Sequence, residues 1–202
     1  MNRFLVYTLG ILAMWASAAV AVRQVTHSLD DIELLGKQGK WGEVISYLNE
    51  VPSMDRSSRW QAYLEEAALQ YLKEVAQQDK QQVETAASTL RLQFPSLERS
   101  SAFQGARDEY MLEGFAVCFR TKTSIKTQKT SCANSLVAFV NRNPTDETLL
   151  LSAVELLQSN SAFKEALEIL IPALQEPDGS RLCTSPLVRR SIAATPEAKR
   201  CP

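Results

Sequence analysis

The stretch 156–174, LLQSNSAFKEALEILIPAL, contains the clearest structural pattern in the chain. Apolar residues recur at spacings of three and four on both sides of the polar turn 158–162, which places them on one face of each of two helices. These residues are Leu150, Ala153, Val154 and Leu157 before the turn, and Phe163, Ala166, Leu167, Leu170 and Leu174 after it. The pattern therefore predicts an antiparallel helix hairpin.

A fainter copy of this hairpin lies near the start of the chain. Leu35 precedes the segment 36–48, GKQGKWGEVISYL, whose apolar residues take the places of Phe163, Ala166, Leu167 and Leu170; they are Trp41, Val44, Ile45 and Leu48. Between the two copies, the spacing predicts helices through 60–75, 83–94, 103–118 and 136–140. We expect Ser96 to cap the third of these, and Thr145 or Asp146 to cap the helix after them. The sequence therefore predicts an all-α protein built from helix pairs.

The hairpin pattern resembles a tetratricopeptide repeat, whose unit is a pair of helices spanning 34 residues. In the segment 25–52, Gly39-Lys40-Trp41 matches the Gly-Lys-Tyr turn of the family, and in the segment 147–177 Ala166 takes the small-residue position. The resemblance implies an irregular α-solenoid of antiparallel hairpins, in which the first helices line a groove. The matching groove residues here are Leu29, Glu33, Lys37, Leu151, Glu155 and Gln158.

The N-terminus has the pattern of a secretory signal peptide. Arg3 precedes the apolar run 4–22, and the small residues Ala19-Val20-Ala21 provide an A-x-A site. We expect cleavage after Ala21, with Ala18 as a second site, so residues 1–21 form the signal peptide. The alternative is an uncleaved anchor in contact with the membrane, because about 19 apolar residues nearly span a bilayer.

The four cysteines also indicate export. An even number of cysteines in an exported chain favours disulfides, and the sequential pairing Cys118–Cys132 and Cys183–Cys201 closes two local loops. A metal site is the weaker interpretation, since no C-x-x-C pair is present and the single histidine, His27, is distant in sequence. We expect a periplasmic location, with secretion or a membrane anchor facing the periplasm as alternatives.

The predicted disulfides define two further segments. The first closes a loop with four positive charges, Arg120, Lys122, Lys126 and Lys129, which could contact an anionic surface or could be an ordinary solvated loop. The second closes the tail 178–202, in which Leu187, Val188 and Ile192 share one helix face. We expect this tail to cap the helical domain 22–177 at its C-terminal end.

The sequence favours an interaction protein over an enzyme. The net charge of −1 gives no field to attract nucleic acid, and no cofactor motif is present. Asp108, Glu109 and Glu113 could place two carboxylates on one helix face, although such a face is typical of solvated helices. We therefore expect a non-enzymatic adaptor or assembly factor that binds another envelope protein. The alternatives are a carboxylate-dependent hydrolase, and a structural or inhibitory exported protein; the pattern does not fix the oligomeric state.

The processing site can be tested directly by mass. We predict that protein purified from its native host begins at Val22, because signal peptidase cleaves after the A-x-A motif. Intact-mass measurement checks this prediction. A full-length species recovered from the membrane fraction would contradict it and support the anchor.

Overall fold

The computed structural model describes residues 27–121, 126–142, 146–193 and 195–201, and the regular structure in these ranges is helical, as predicted. The predicted signal peptide, 1–21, lies outside them. No helix in the described ranges combines the length and the apolar character needed to cross a membrane. The α-helices are α1 (Leu29–Lys37), α2 (Trp41–Glu50), α3 (Ser58–Gln78), α4 (Val83–Gln93), α5 (Ser101–Thr121), α6 (Lys126–Asn141), α7 (Glu147–Ser159), α8 (Phe163–Gln175) and α9 (Pro186–Ile192).

The turns of the first and last hairpins have the same backbone geometry. Gly39 between α1 and α2 has φ 74°, and Ser161 between α7 and α8 has φ 63°. The following residue, Lys40 or Ala162, has nearly identical dihedrals in the two turns, and its N–H donates to the carbonyl of Leu35 or Leu157. The two hairpins that the sequence pairs by pattern are therefore also paired by their turns.

Consecutive helices contact one another, and the odd-numbered helices also contact one another in order. Contacts join α1 to α3, α3 to α5, α5 to α7, and α7 to α9, while α2, α4, α6 and α8 each pack beside the helix that precedes them. Short connections between helices explain this order, because a tight turn leaves the next helix no other face to cover.

The apolar faces form two cores that meet along α5. The N-terminal core is built from α1 to α4 and receives Phe103 from α5, whereas the C-terminal core is built from α6 to α9 and receives Phe119. Met111, between these two phenylalanines on α5, packs against both cores. The long helix α5 therefore joins the two halves of the domain.

Both predicted cysteine pairs lie at disulfide distance. The Cα atoms of Cys118 and Cys132 are 6.1 Å apart, and those of Cys183 and Cys201 are 5.1 Å apart. The first pair joins α5 to α6. The sequence predicted that α6 begins after Cys132, but in the structure it begins at Lys126 and therefore contains Cys132. Residues 126–131 contain no Gly or Pro, so nothing in their sequence stops a helix.

One other predicted boundary differs in the structure. Residues 95–99 form a 3₁₀ turn that buries Leu97, so Ser100 and not Ser96 caps α5, and its Oγ accepts the N–H of Phe103 at 3.0 Å. Pro172 does not end α8, which continues to Gln175. Proline has no N–H to donate to the Glu168 carbonyl one turn earlier. Both residues are exposed, so water can donate to that carbonyl instead.

The tail packs against the last hairpin. Val188 and Ile192 are fully buried against α7 and α8, Leu182 joins the same core, and Leu187 is partly buried. Arg189 is exposed at its tip, and its Nε donates to the Cys183 carbonyl at 2.7 Å. The apolar face that the sequence predicted in this tail is therefore the face that covers the C-terminal core.

Gly179 allows this close approach, and we predict that Gly179→Ala destabilises the fold. A Cβ at this position would overlap the Ala173 carbonyl oxygen and lie 2.8 Å from the Leu174 Cα, both of which are backbone atoms that cannot rotate away. Such overpacking costs about 1–3 kcal/mol. Urea unfolding of the oxidised protein measures the loss.

The matched control is Gly105→Ala. Gly105 lies exposed inside α5, and a Cβ there meets no atom within 4 Å. This substitution should raise the free energy of unfolding by about 0.5–1 kcal/mol, because alanine is the better helix former. Equal effects of the two substitutions would mean that the tail does not approach α8 closely.

A buried polar cluster lies on α5 between the two cores. The Arg107 Nε donates to the Asp108 Oδ1 at 2.7 Å, and the Arg107 guanidinium lies 5.6 Å from the centre of the Phe139 ring. Asp146, which caps α7 by accepting the Leu149 N–H at 2.9 Å, lies close enough to act on the charge of Asp108. Burial raises the pKa of Asp108; Arg107 opposes this effect and the neighbouring Asp146 carboxylate adds to it.

This arrangement predicts that Asp146→Asn stabilises the protein at neutral pH. A carboxyl whose pKa is raised on folding costs stability as pH rises from its unfolded value, about 3.9, through its folded value. Asparagine keeps the helix cap and removes the like charge, so the pKa of Asp108 should fall. At pH values above this pKa, the free energy of unfolding should therefore be higher than in the unaltered protein by about 1 kcal/mol. Urea unfolding between pH 3 and 8 measures it. Asp146→Ala, which also removes the cap, should instead destabilise, and a loss of the same size in both variants would contradict the electrostatic explanation.

Candidate functional site

The surface between α5 and α7 forms a shallow groove with a volume of about 420 Å³. Each helix contributes four residues at the spacing i, i+3, i+4 and i+7, which is the spacing of a single helix face. They are Glu109, Leu112, Glu113 and Ala116 from α5, and Ser152, Glu155, Leu156 and Ser159 from α7. The groove therefore follows from the direct contact between α5 and α7.

The groove has an apolar floor and an acidic rim. Leu112 and Leu156 are partly buried, whereas Glu109, Glu113 and Glu155 are exposed. Glu113 forms an ion pair with Lys80. Glu109 and Glu155 make no ion pair within the described part of the chain, so their charges remain available to a partner. A surface of this kind suits a segment that carries both apolar and basic side chains.

The predicted groove residues on α1 do not reach this surface. Leu29 lines a separate cavity at the N-terminal end of the domain, and Glu33 pairs with Arg59, whose Nη2 lies 2.8 Å from the Glu33 Oε1. Lys37 is exposed at the end of α1. Since α1 contacts α2 and α3 but is not adjacent to α7, the two halves of the predicted groove are not brought together.

The predicted residues on α7 divide between two roles. Glu155 lines the α5–α7 groove. Leu151 is partly buried and packs against the C-terminal core, and the Gln158 amide donates to the Ser191 hydroxyl of α9. Of these three residues, only Glu155 therefore lines the groove.

The four predicted basic residues do not form one described loop. Arg120 lies in the last turn of α5, where its Nε donates to the Ala116 carbonyl at 3.3 Å, and Lys129 lies on α6 beside a cavity shared with the α7–α8 turn. Lys126 begins α6, and Lys122 lies outside the described residues. The predicted basic loop is thus largely helical, and an anionic surface it would contact stays a prediction.

The acidic residues considered for catalysis point in different directions. Asp108 is buried and bonded to Arg107, whereas Glu109 and Glu113 line the exposed groove. Asp108 is therefore separated from the other two carboxylates, whereas Glu109 and Glu113 share the groove, where Glu113 is paired with Lys80. Within the described ranges, no group of three His, Cys, Asp or Glu side chains is placed to hold a metal ion.

Sequence reasoning missed the apolar floor of the groove. Leu112 and Leu156 follow the helical spacing expected of core residues. Their place in the groove depends on how α5 packs beside α7, which the spacing does not show. The acidic rim was visible, because Glu109 and Glu113 were noted as one helix face and Glu155 as a groove residue. No protein-family model, curated protein or solved structure matches this chain.

Proposed function

We propose that this protein is a non-enzymatic interaction module of the cell envelope that binds a segment of another envelope protein in the α5–α7 groove. The observation that supports this most directly is the pair of four-residue stripes that face each other across that groove. One stripe from each helix gives a floor for apolar side chains and a rim of carboxylates for basic ones.

The same proposal includes an irregular α-solenoid with the tail as its C-terminal cap. The matching turns of the first and last hairpins and the ordered contacts among odd-numbered helices support this interpretation. In stacked helix pairs, a groove between neighbouring first helices is open to ligands along its length. Covering the last hairpin with the tail also shields the C-terminal core from solvent.

Export to the periplasm is part of the proposal as well. The two cysteine pairs at disulfide distance indicate a non-reducing compartment, since thiols are kept reduced in the cytosol. The predicted signal peptide would deliver the chain there. We propose the periplasm because it is a compartment that fits both features.

The test is site-specific photocrosslinking in the native host. A photoreactive residue at Ser152, in the groove, should crosslink to a protein segment rich in Lys, Arg and apolar residues, whereas the same residue at the exposed Lys164 of α8 should not. Reversing both groove charges with Glu109→Lys and Glu155→Lys should lower the crosslinking yield at least about tenfold, because opposed like charges cost several kcal/mol.

The control for charge is Glu168→Lys, which makes the same change at an exposed position of α8. It should leave the crosslink at Ser152 unchanged. A crosslink from Lys164 but not from Ser152 would show that the partner binds elsewhere. A crosslink that survives the double reversal would contradict the proposed role of the acidic rim.

A further inference from the structure

The walls of the α5–α7 groove present side chains rather than a row of free backbone groups. All the lining residues lie inside α5 or α7, where backbone N–H groups donate to carbonyls four residues earlier. At the end of α7, where carbonyls lose such partners, the Leu156 carbonyl accepts the Ser159 hydroxyl at 3.0 Å and the Asn160 amide at 2.8 Å. A segment bound here must therefore find its own backbone hydrogen bonds within itself or in water.

The side chains of the groove also offer few donors to an extended segment. Leucine, alanine and ionised glutamate side chains have no hydrogen to donate, and the Ser159 hydroxyl is already bonded to the carbonyls of Glu155 and Leu156. The Ser152 hydroxyl is the remaining donor among the lining side chains. The regular structure of the described residues is helical, so these residues present no strand edge with which an extended segment could pair. A helix needs neither kind of partner, because its backbone bonds are internal.

The length and floor of the groove match one face of a short helix. A stripe from i to i+7 extends over about 10 Å, or roughly two helical turns. Leu112 and Leu156 form the apolar floor. Ala116 on one wall and Ser152 on the other have small side chains, so a third helix can approach closely and pack its ridges beside them.

Carboxylates lie on both walls of the groove, because Glu109 belongs to α5 and Glu155 to α7. A helix between these walls has one face on the floor and one flank beside each carboxylate, as charged residues flank the apolar seam of a coiled coil. We propose that the segment bound in the groove is an amphipathic helix of about two turns or more, with apolar residues at i, i+3 or i+4 and i+7 and a Lys or Arg on each flank of that face. This inference rests on the proposed function and specifies the partner of the same groove.

Photocrosslinking from two positions on one wall measures the conformation of the native partner. One variant carries the photoreactive residue at Ser152 and another at Ser159, which lie seven residues apart in α7 and therefore about 10 Å apart along it. A helix advances about 1.5 Å per residue and an extended segment about 3.3 Å. We expect the two captured residues to lie about seven apart in the partner's sequence, and mass spectrometry of the crosslinked peptides locates them.

The other outcomes separate this inference from the proposed function. A spacing of about three residues, or capture of one and the same residue from both positions, would overturn the helix while the groove stays a binding site. If neither Ser152 nor Ser159 captures a partner, or if both capture another copy of this chain, the proposed function is contradicted and the inference fails with it.

Two synthetic peptides of identical composition test the pattern of the partner. Each has about 14 residues of Leu, Lys and Ala; one carries Leu at the helical spacing with Lys on both flanks, and the other carries Leu at every second position, the spacing of a strand. Fluorescence anisotropy with the purified, oxidised protein should show at least about tenfold tighter binding of the helical pattern. Equal affinities, or a preference for the strand pattern, would overturn the proposal.

Substitutions on the two walls test the two flanks. Glu109→Gln and Glu155→Gln should each weaken the helical peptide about two- to fivefold, as expected for the loss of an exposed ion pair, whereas Glu168→Gln on α8 should leave binding unchanged. A peptide with Lys on only one flank should respond to only one of the two groove substitutions. A response of that peptide to both would contradict the placement of a basic residue on each side.

Discussion

The buried pair of Arg107 and Asp108 is the constraint on which the arrangement of the two cores depends. It lies on α5, between the residues that α5 contributes to each core, and both side chains are almost fully buried. A buried ion pair recovers its desolvation cost only when its geometry is good. The position of α5 is therefore restricted to the one that places the pair beside Phe139 and Asp146. Because Asp146 also caps α7, the pair links the position of α5 to the start of α7. The groove between these two helices is therefore set by the same cluster.

The two disulfides stabilise different parts of this arrangement. Cys118–Cys132 joins the last turn of α5 to the second turn of α6. Cys183–Cys201 closes a tail whose helices are too short to be stable alone, and a closure of about 15–20 residues can contribute roughly 3 kcal/mol by restricting the unfolded chain. The tail then covers the C-terminal core at a smaller entropic cost. The last hairpin thus depends on a covalent link, whereas the first depends on the packing of α1 and α2 against α3.

Most of the helices could be predicted because their apolar residues follow the helical period, as in α4 and α8. The start of α6 could not, because Lys126 to Ser131 carry no apolar period and a polar helix has the same sequence pattern as a loop. Contacts between side chains distant in sequence could not be predicted either. Glu33 and Gln158 were predicted to line a groove, but Arg59 and Ser191 occupy them in the fold. The local spacing of a helix shows which face a residue is on, and only the packing of several helices shows what that face meets.

The net charge of −1 conceals an uneven distribution of charge. Arg59, Lys80, Arg91 and Arg107 are committed to ion pairs inside the fold, together with the carboxylates that they neutralise. Glu109 and Glu155 at the groove have no such partner among the described residues. Fields from unpaired charges extend for about 8–10 Å at physiological salt, so the groove attracts cations although the whole molecule is nearly neutral. The local charge of the groove therefore depends on which cations the fold uses internally, and composition alone does not contain that information.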